Sequence, residues 1–223
     1  MRFGPLPPSF TDNYSLQFDG VDDYINVGTD TSLDIFGSDF TISLWAKWGT
    51  QTTNSNGLVN FASFTNKAMV GLGFGTEYGK ITFGTGTSTT IACLYNCGSG
   101  YNDSNWHNVI CIEDSGVRIV YVDGVDITST GAASSISVGT NNDIGNRARS
   151  RYFVGNIDEV AIFDSVIDVS TIYNGGTPGN LSSLSPLGWW QFEEGSGTTA
   201  IDSGTGGNNG TISGATYSTD VPT

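Results

Sequence analysis

The chain has 223 residues, 37% of them hydrophobic, with 31 glycines and a formal net charge of −14 from 22 acids against 8 bases. A chain of this length buries about 70% of the surface its unfolded form exposes, so it can support a full core. The acidity, with no offsetting Lys/Arg stripe, excludes nucleic acid and anionic membrane surfaces as partners, and no apolar run approaches a transmembrane span.

Residues 1–13 read as an extended, proline-rich arm, either a solvated terminus or a strap that docks on a neighbouring subunit. Met1-Arg2-Phe3-Gly4-Pro5-Leu6-Pro7-Pro8 is broken by prolines and lacks the apolar stretch of a secretory signal. That points to a processed product, or to a protein that leaves the cell by particle assembly and lysis. Residues 15–18 form a short strand, and Asp19-Gly20-Val21-Asp22-Asp23 follows it. Three carboxylates around a glycine turn either bind a hard cation or spend themselves on turn hydrogen bonds. Residues 40–46 alternate, with Phe40, Ile42 and Leu44 on one face and Trp45 on the other, and residues 80–83 alternate too.

Tyr78, Tyr95 and Tyr101 lie in turns rich in Gly, Ser and Asn; with Trp48 they are the candidate carbohydrate-binding aromatics. Trp45, Trp106, Trp189 and Trp190 are expected in packing. Cys93 and Cys97 either close a small disulfide loop or stay reduced, while Cys111 reads as a small core residue. Residues 106–112 are apolar on both faces, as in a central strand. His107, the only histidine, lacks the partners of a triad or a His-based metal site and reads as structural. Residues 117–122 turn at Asp123-Gly124, a type I′ hairpin signal.

Arg147, Arg149 and Arg151 would share a side of an extended segment, and read either as a solvated loop or as a local anionic contact. In the strand over 153–163, Asp158 and Glu159 should point to opposite faces. Glu193 and Glu194 do the same, so neither pair supplies the facing carboxylates of a glycosidase. Asp168 can cap a short helix that Gly175 ends. Residues 177–186 form a connector, 187–192 a strand, and a turn-rich tail ends in a short strand at Thr211 and Ile212. Short strands, dense turns and almost no helix indicate an all-β antiparallel sandwich.

Six phrases, in order, resemble the laminin-G-like, concanavalin-A-like jelly-roll family. They are Leu16-Gln17-Phe18-Asp19-Gly20 with Asp22-Asp23-Tyr24-Ile25; Phe40-Thr41-Ile42-Ser43-Leu44-Trp45; Trp106-His107-Asn108-Val109; Tyr121-Val122-Asp123-Gly124; Ile144-Gly145-Asn146; and Gly155-Asn156-Ile157-Asp158-Glu159-Val160. The resemblance implies a two-sheet antiparallel jelly-roll sandwich with one short helix. It raises the expectation of a structural calcium held by Asp19, Asp22, Asp23 and Asp158; in the alternative, Asp19 and Asp22 make turn hydrogen bonds and Glu159 faces solvent.

Trp189-Trp190-Gln191-Phe192-Glu193-Glu194-Gly195-Ser196-Gly197 resembles the phrase that usually opens such a domain, yet here it comes last. The implied arrangement is permuted: a single sandwich over 14–223 whose strands at about 187–212 pack beside the N-terminal ones. Leu181-Ser182-Ser183-Leu184-Ser185-Pro186 and the ending Ser218-Thr219-Asp220-Val221-Pro222 resemble virion-associated proteins of marine bacteriophages. That implies a non-catalytic adhesion or decoration protein of a virion, contacting capsid or tail proteins through residues 1–13, binding a host-surface glycan, and compatible with a homo-oligomer. The competing readings are a secreted or cell-surface carbohydrate-binding module of a bacterium and, behind it, a glycoside hydrolase.

Overall fold

The computed structural model describes residues 10–51, 56–72, 79–88, 90–129 and 134–223, with backbone alone for 90–97 and 134–136. In chain order the first strands are β1 (Ser15–Asp19), β2 (Tyr24–Asn26), β3 (Phe40–Lys47), β4 (Asn56–Phe61), β5 (Lys67–Leu72), β6 (Ile81–Gly86) and β7 (Thr90–Cys97). Next come β8 (Trp106–Asp114), β9 (Val117–Val122), β10 (Val125–Asp126), β11 (Ser134–Ser137), β12 (Asn142–Ile144), β13 (Asn146–Arg147), β14 (Arg151–Tyr152) and β15 (Val154–Phe163). A five-residue helix, α1 (Val169–Tyr173), precedes β16 (Gly188–Trp190), β17 (Thr199–Ala200), β18 (Gly210–Ser213) and β19 (Thr216–Ser218).

The strands form two large antiparallel sheets, with β13 and β14 paired as a separate hairpin. One runs β10-β9-β8-β3-β15-β1-β19, with β16 also on β15; the other runs β11-β7-β6-β5-β4-β12-β2-β18-β17. The alternation over 40–46 orients β3 as its pattern demands. Phe40, Ile42, Leu44 and Ala46 enter the inter-sheet core, while Trp45 faces the outside and stacks on Tyr173 of α1. Within the core, Phe36, Phe40, Phe61 and Phe83 pack edge and face, together with Leu16, Phe18, Ile25, Val160 and Trp190. Each such side chain, once fully buried, contributes about 1.5–3 kcal/mol.

The first sheet is apolar on its outer face as well. Ile110, Ile112, Ala161, Phe163 and Trp189 form a second cluster there, covered by Ile172 of α1, Leu181 and Phe10. This explains why β8 is apolar on both faces: Val109 and Cys111 fill the inner core and Ile110 and Ile112 the outer one. The helix begins where Asp168 accepts from Thr171 N, as the cap chemistry requires. It ends one residue before the expected glycine, with Asn174 at φ 50° and Gly175 at φ 70° continuing the left-handed turn. At the hairpin, Asp123 (φ 51°) and Gly124 (φ 74°) both take the positive dihedrals that a type I′ turn needs.

The C-terminal segment contributes strands to both sheets. β19 pairs with β1, β18 with β2, and β16 with β15. Along β15, β1 is paired opposite Val154–Ile157 and β16 opposite Val160–Ile162, so the two abut end to end on one edge. Trp190 anchors this segment: it is fully buried, and its indole N–H donates to the Asn208 carbonyl at 2.9 Å. Asp202 ties the same region together by accepting from the backbone N–H groups of Trp189, Gly204 and Asn208.

Candidate functional site

Three groups of polar side chains stand out, and the first is the acidic loop between β1 and β2. It brings Asp19, Asp22 and Asp23 together. Asp23 is buried, and its Oδ2 accepts from the Asp19 N–H at 2.8 Å. Asp19 Oδ1 accepts from Val21 N at 2.8 Å, as Gly20 turns the chain at φ 81°. Gly214, in the β18–β19 turn, lies against Asp23 so closely that a Cβ there would meet Asp23 Oδ1. Burial pushes the Asp23 carboxyl up, and the Asp19 N–H partly offsets this. A cleft of about 430 Å³ opens beside the loop, lined by Gln17, Asp19, Asp23, Val154 and Thr216 among others.

Asp158 does not join that loop. It lies with Asp12 and Glu159 in a second acidic group, one carboxylate oxygen from each falling within 4.8 Å of the others. The expectation that Asp158 and Glu159 point to opposite faces fails, because β15 bulges here. Between Asp158 and Ala161 it advances three residues while β3 advances two, and Glu159 takes φ 49°. The extra residue breaks the two-residue period, so Ile157 and Val160 enter the core while both acids lie with Asp12. Glu159 does not face solvent either: it is 3% exposed and accepts from Trp189 Nε1 at 2.6 Å. Asp12 arrives because β16 occupies the edge of β15 ahead of β1. The preceding chain therefore crosses the outer face, where Phe10 stacks on Trp189.

Glu193 holds that crossing in place by accepting from the N–H groups of Asn13 and Tyr14 and from Asn13 Nδ2. Burial, reinforced by the neighbouring carboxylates, raises all three acids: Asp12 is pushed up to about 7, and Asp158 and Glu159 lie well above the usual range.

The third group lies in the loop between β7 and β8 and beneath it. His107 bridges two carboxylates, with Nδ1 at 2.7 Å from Asp123 Oδ2 and Nε2 at 3.1 Å from Asp103 Oδ1. Burial pulls its pKa down, but the bonds to Asp123 and Asp103 outweigh that and raise it. Asp103 is lowered to about 2, first by the Asn105 N–H and then by Asn105 Nδ2 and His107. Tyr101 sits edge-on to the imidazole at 5.1 Å and remains half-exposed. The backbone bond from Ser104 N to Trp48 O fixes the loop to the end of β3. On the outer sheet face nearby, Trp106 Nε1 donates to Asp220 Oδ1, and Lys47 pairs with Asp220 at 2.6 Å.

Of the candidate carbohydrate-binding aromatics whose side chains are described, Tyr101 is the partly exposed one. Trp48 is a correction: it is 1% exposed, turns into the core past the end of β3, donates to the Gly79 carbonyl and packs against His107. Tyr78 lies outside the described residues, as does the side chain of Tyr95; the side chains of Cys93 and Cys97 lie outside them as well. Cys111 is fully buried.

The three arginines do not lie on one extended segment, because the chain turns between Arg147 and Arg151. Arg147 and Arg151 face each other across the β13–β14 hairpin, and Arg147 is buried with Nη1 on the Ser137 carbonyl. Arg149, in the turn, pairs with Asp143 and lies over the Tyr24 ring at 4.3 Å. Asp12, Asp103 and Asp123 were not singled out from sequence. The turn at Asp123-Gly124 was the one signal pointing to any of them.

The concanavalin A-like lectin/glucanases superfamily matches residues 19–173. The chain belongs to this family. Among solved structures, a Bacteroides ovatus protein described as a candidate carbohydrate binding protein superposes with TM-score 0.68 at 18% identity, over 96% of this chain and 62% of that one. Domains LG4-5 of the mouse laminin α1 chain give TM-score 0.44 at 14% identity, over 70% of this chain and 46% of that one. Tailspike protein 2 of the Escherichia coli O157:H7 bacteriophage CAB120 gives 0.44 at 9% identity, over 83% of this chain and 30% of that one. The chain therefore spans less than two thirds of each of these proteins. No curated protein matches it.

Proposed function

We propose that this chain is a non-catalytic carbohydrate-binding module whose sugar contacts centre on Tyr101. The supporting observation is the fixed loop at residues 98–105. A half-exposed aromatic ring packs edge-on to His107, which Asp103 and Asp123 hold, and Ser104 N ties the same loop to Trp48. A rigid ring flanked by hydrogen-bonding groups costs little entropy to dock on a sugar. The lectin/glucanase family, and the fold shared with the Bacteroides ovatus protein, support a carbohydrate ligand. The net charge of −14 favours a neutral glycan over a sialylated or uronic one.

Hydrolysis is the weaker reading. Asp158 and Glu159, two of the three acids grouped on the first sheet, are 0% and 3% exposed beside Phe10 and Trp189, where no sugar ring can enter. A glycan array paired with a reducing-end assay tests both. Retention of a neutral glycan, lost about tenfold or more in Tyr101→Ala, supports the module; turnover of any arrayed glycan contradicts it. The finer reading, an adhesion or decoration protein of a virus particle, rests on the phrases at 181–186 and 218–222. Mass spectrometry of purified particles tests it, and a bacterial surface fraction is the competing location.

A further inference from the structure

His107 is held in a way that one protonation state satisfies and the other does not. Its Nδ1 lies 2.7 Å from Asp123 Oδ2 and its Nε2 lies 3.1 Å from Asp103 Oδ1. An ionised carboxylate accepts hydrogen bonds and donates none, and a neutral imidazole carries a single N–H. The neutral ring would therefore set a nitrogen lone pair against one of the two carboxylates, whereas the imidazolium donates to both. Among the described residues, the titratable groups that face the ring are Asp103 and Tyr101 from the loop before β8 and Asp123 from the β9–β10 turn. The chain past β3 offers Trp48, which does not titrate.

The two carboxylates are not equivalent. Asp123 is fixed at its turn, where Oδ1 also accepts from Asn108 N at 2.9 Å. Asp103 belongs to the loop, is the more exposed of the two, and keeps Asn105 N and Nδ2 as donors without the ring. A neutral ring thus retains the shorter bond to Asp123 through Nδ1–H and turns its Nε2 lone pair on Asp103, which can move away with its loop. Gly98 and Gly100, at φ 68° and 95°, give the backbone there its freedom, and the Tyr101 ring packs so closely on Gly98 that a Cβ would meet it. On the reading that Tyr101 is the sugar platform, we propose that His107 is a positioning residue which holds the Tyr101 loop in its glycan-binding shape only while both ring nitrogens carry a proton, so that affinity for a neutral glycan falls as pH rises. The direction follows from the surroundings of the ring: burial lowers the His107 pKa, and the bonds to Asp123 and Asp103 together raise it further. The latch is therefore closed below the ordinary histidine value and opens as pH rises through the higher folded one.

His107 is the only histidine of the chain, so its ring Cε1–H signal in proton NMR reports a single titration. The expected midpoint lies above about 6.5, and the Tyr101 ring signals of the free protein, assigned with Tyr101→Phe, should shift at the same midpoint. In parallel, a neutral glycan retained on the array is titrated into the full chain by calorimetry. Such a glycan carries no titrating group, so a change with pH belongs to the protein. Affinity should weaken about threefold or more from about pH 5.5 to about pH 8.5. Asp103→Asn replaces an acceptor-only group with an amide that can donate to the neutral ring or accept from the charged one, and should flatten the profile. His107→Gln should flatten it too, at the weaker affinity; Asp103→Asn serves should His107→Gln fail to fold. Equal affinity at both pH values, Tyr101 signals blind to the His107 titration, or a slope that persists in Asp103→Asn would overturn the latch and leave the carbohydrate reading standing. Absence of retention at every pH would overturn both.

Discussion

The two acidic groups of this chain contain the same kind of residue and treat it in opposite ways. The loop at Asp19–Asp23 closes on itself: Asp19 and Asp23 accept backbone N–H groups of their own turn, and Asp22 stays in water. The group at Asp12, Asp158 and Glu159 is assembled from segments far apart in sequence and leaves four carboxylate oxygens unbonded in the interior. Local clusters of acids thus read naturally as turn chemistry, whereas an acid group built by topology is the better place to look for a ligand.

Variants can break this comparison. The largest effect is expected at Asp23→Ala, which leaves the Asp19 N–H without its partner and should lower stability by about 1–3 kcal/mol in urea unfolding. Calcium that raises the stability of the wild type but not that of Asp23→Ala would mean that the loop depends on a cation. Next is Asp158→Asn in chelator. Removing one of several buried like charges should raise the melting temperature, the opposite sign to Asp23→Ala, and a fall would show that the carboxylates are already satisfied.

His107 sharpens the contrast, because there two carboxylates do have a cationic partner. Its pKa is raised in the folded state. The stability it contributes is therefore fully present below the unfolded value of about 6.5 and is lost as pH rises through the folded value. The difference in urea midpoint between wild type and His107→Gln should shrink from pH 5.5 to pH 8.5; a constant difference would remove the charge from this account. The smallest effect is expected at Asp22→Asn, an exposed site, within about 0.5 kcal/mol of wild type.

Much of the fold was legible because it rests on local rules. The alternation over 40–46, the Asp168 cap and the Asp123-Gly124 turn each specify their own geometry, and the ordered phrases pointed to the family. The candidate site was less legible, for identifiable reasons. A strict period of two places Asp158 and Glu159 on opposite faces, and one extra residue in β15 overturns that; no feature of the sequence 153–163 marks the bulge. Trp48 was a candidate surface aromatic, yet the chain folds inward past β3 and buries it. Asp12 gave no signal at all, since its role depends on β16 taking the edge of β15 and forcing the N-terminal segment across the outer face.

The most direct test is a glycan array on the full chain and on Tyr101→Ala, paired with a reducing-end assay. The account predicts retention of a neutral glycan by the wild type, lost about tenfold or more in Tyr101→Ala, with no glycan cleaved. Retention unchanged in Tyr101→Ala, or turnover of any arrayed glycan, would contradict it.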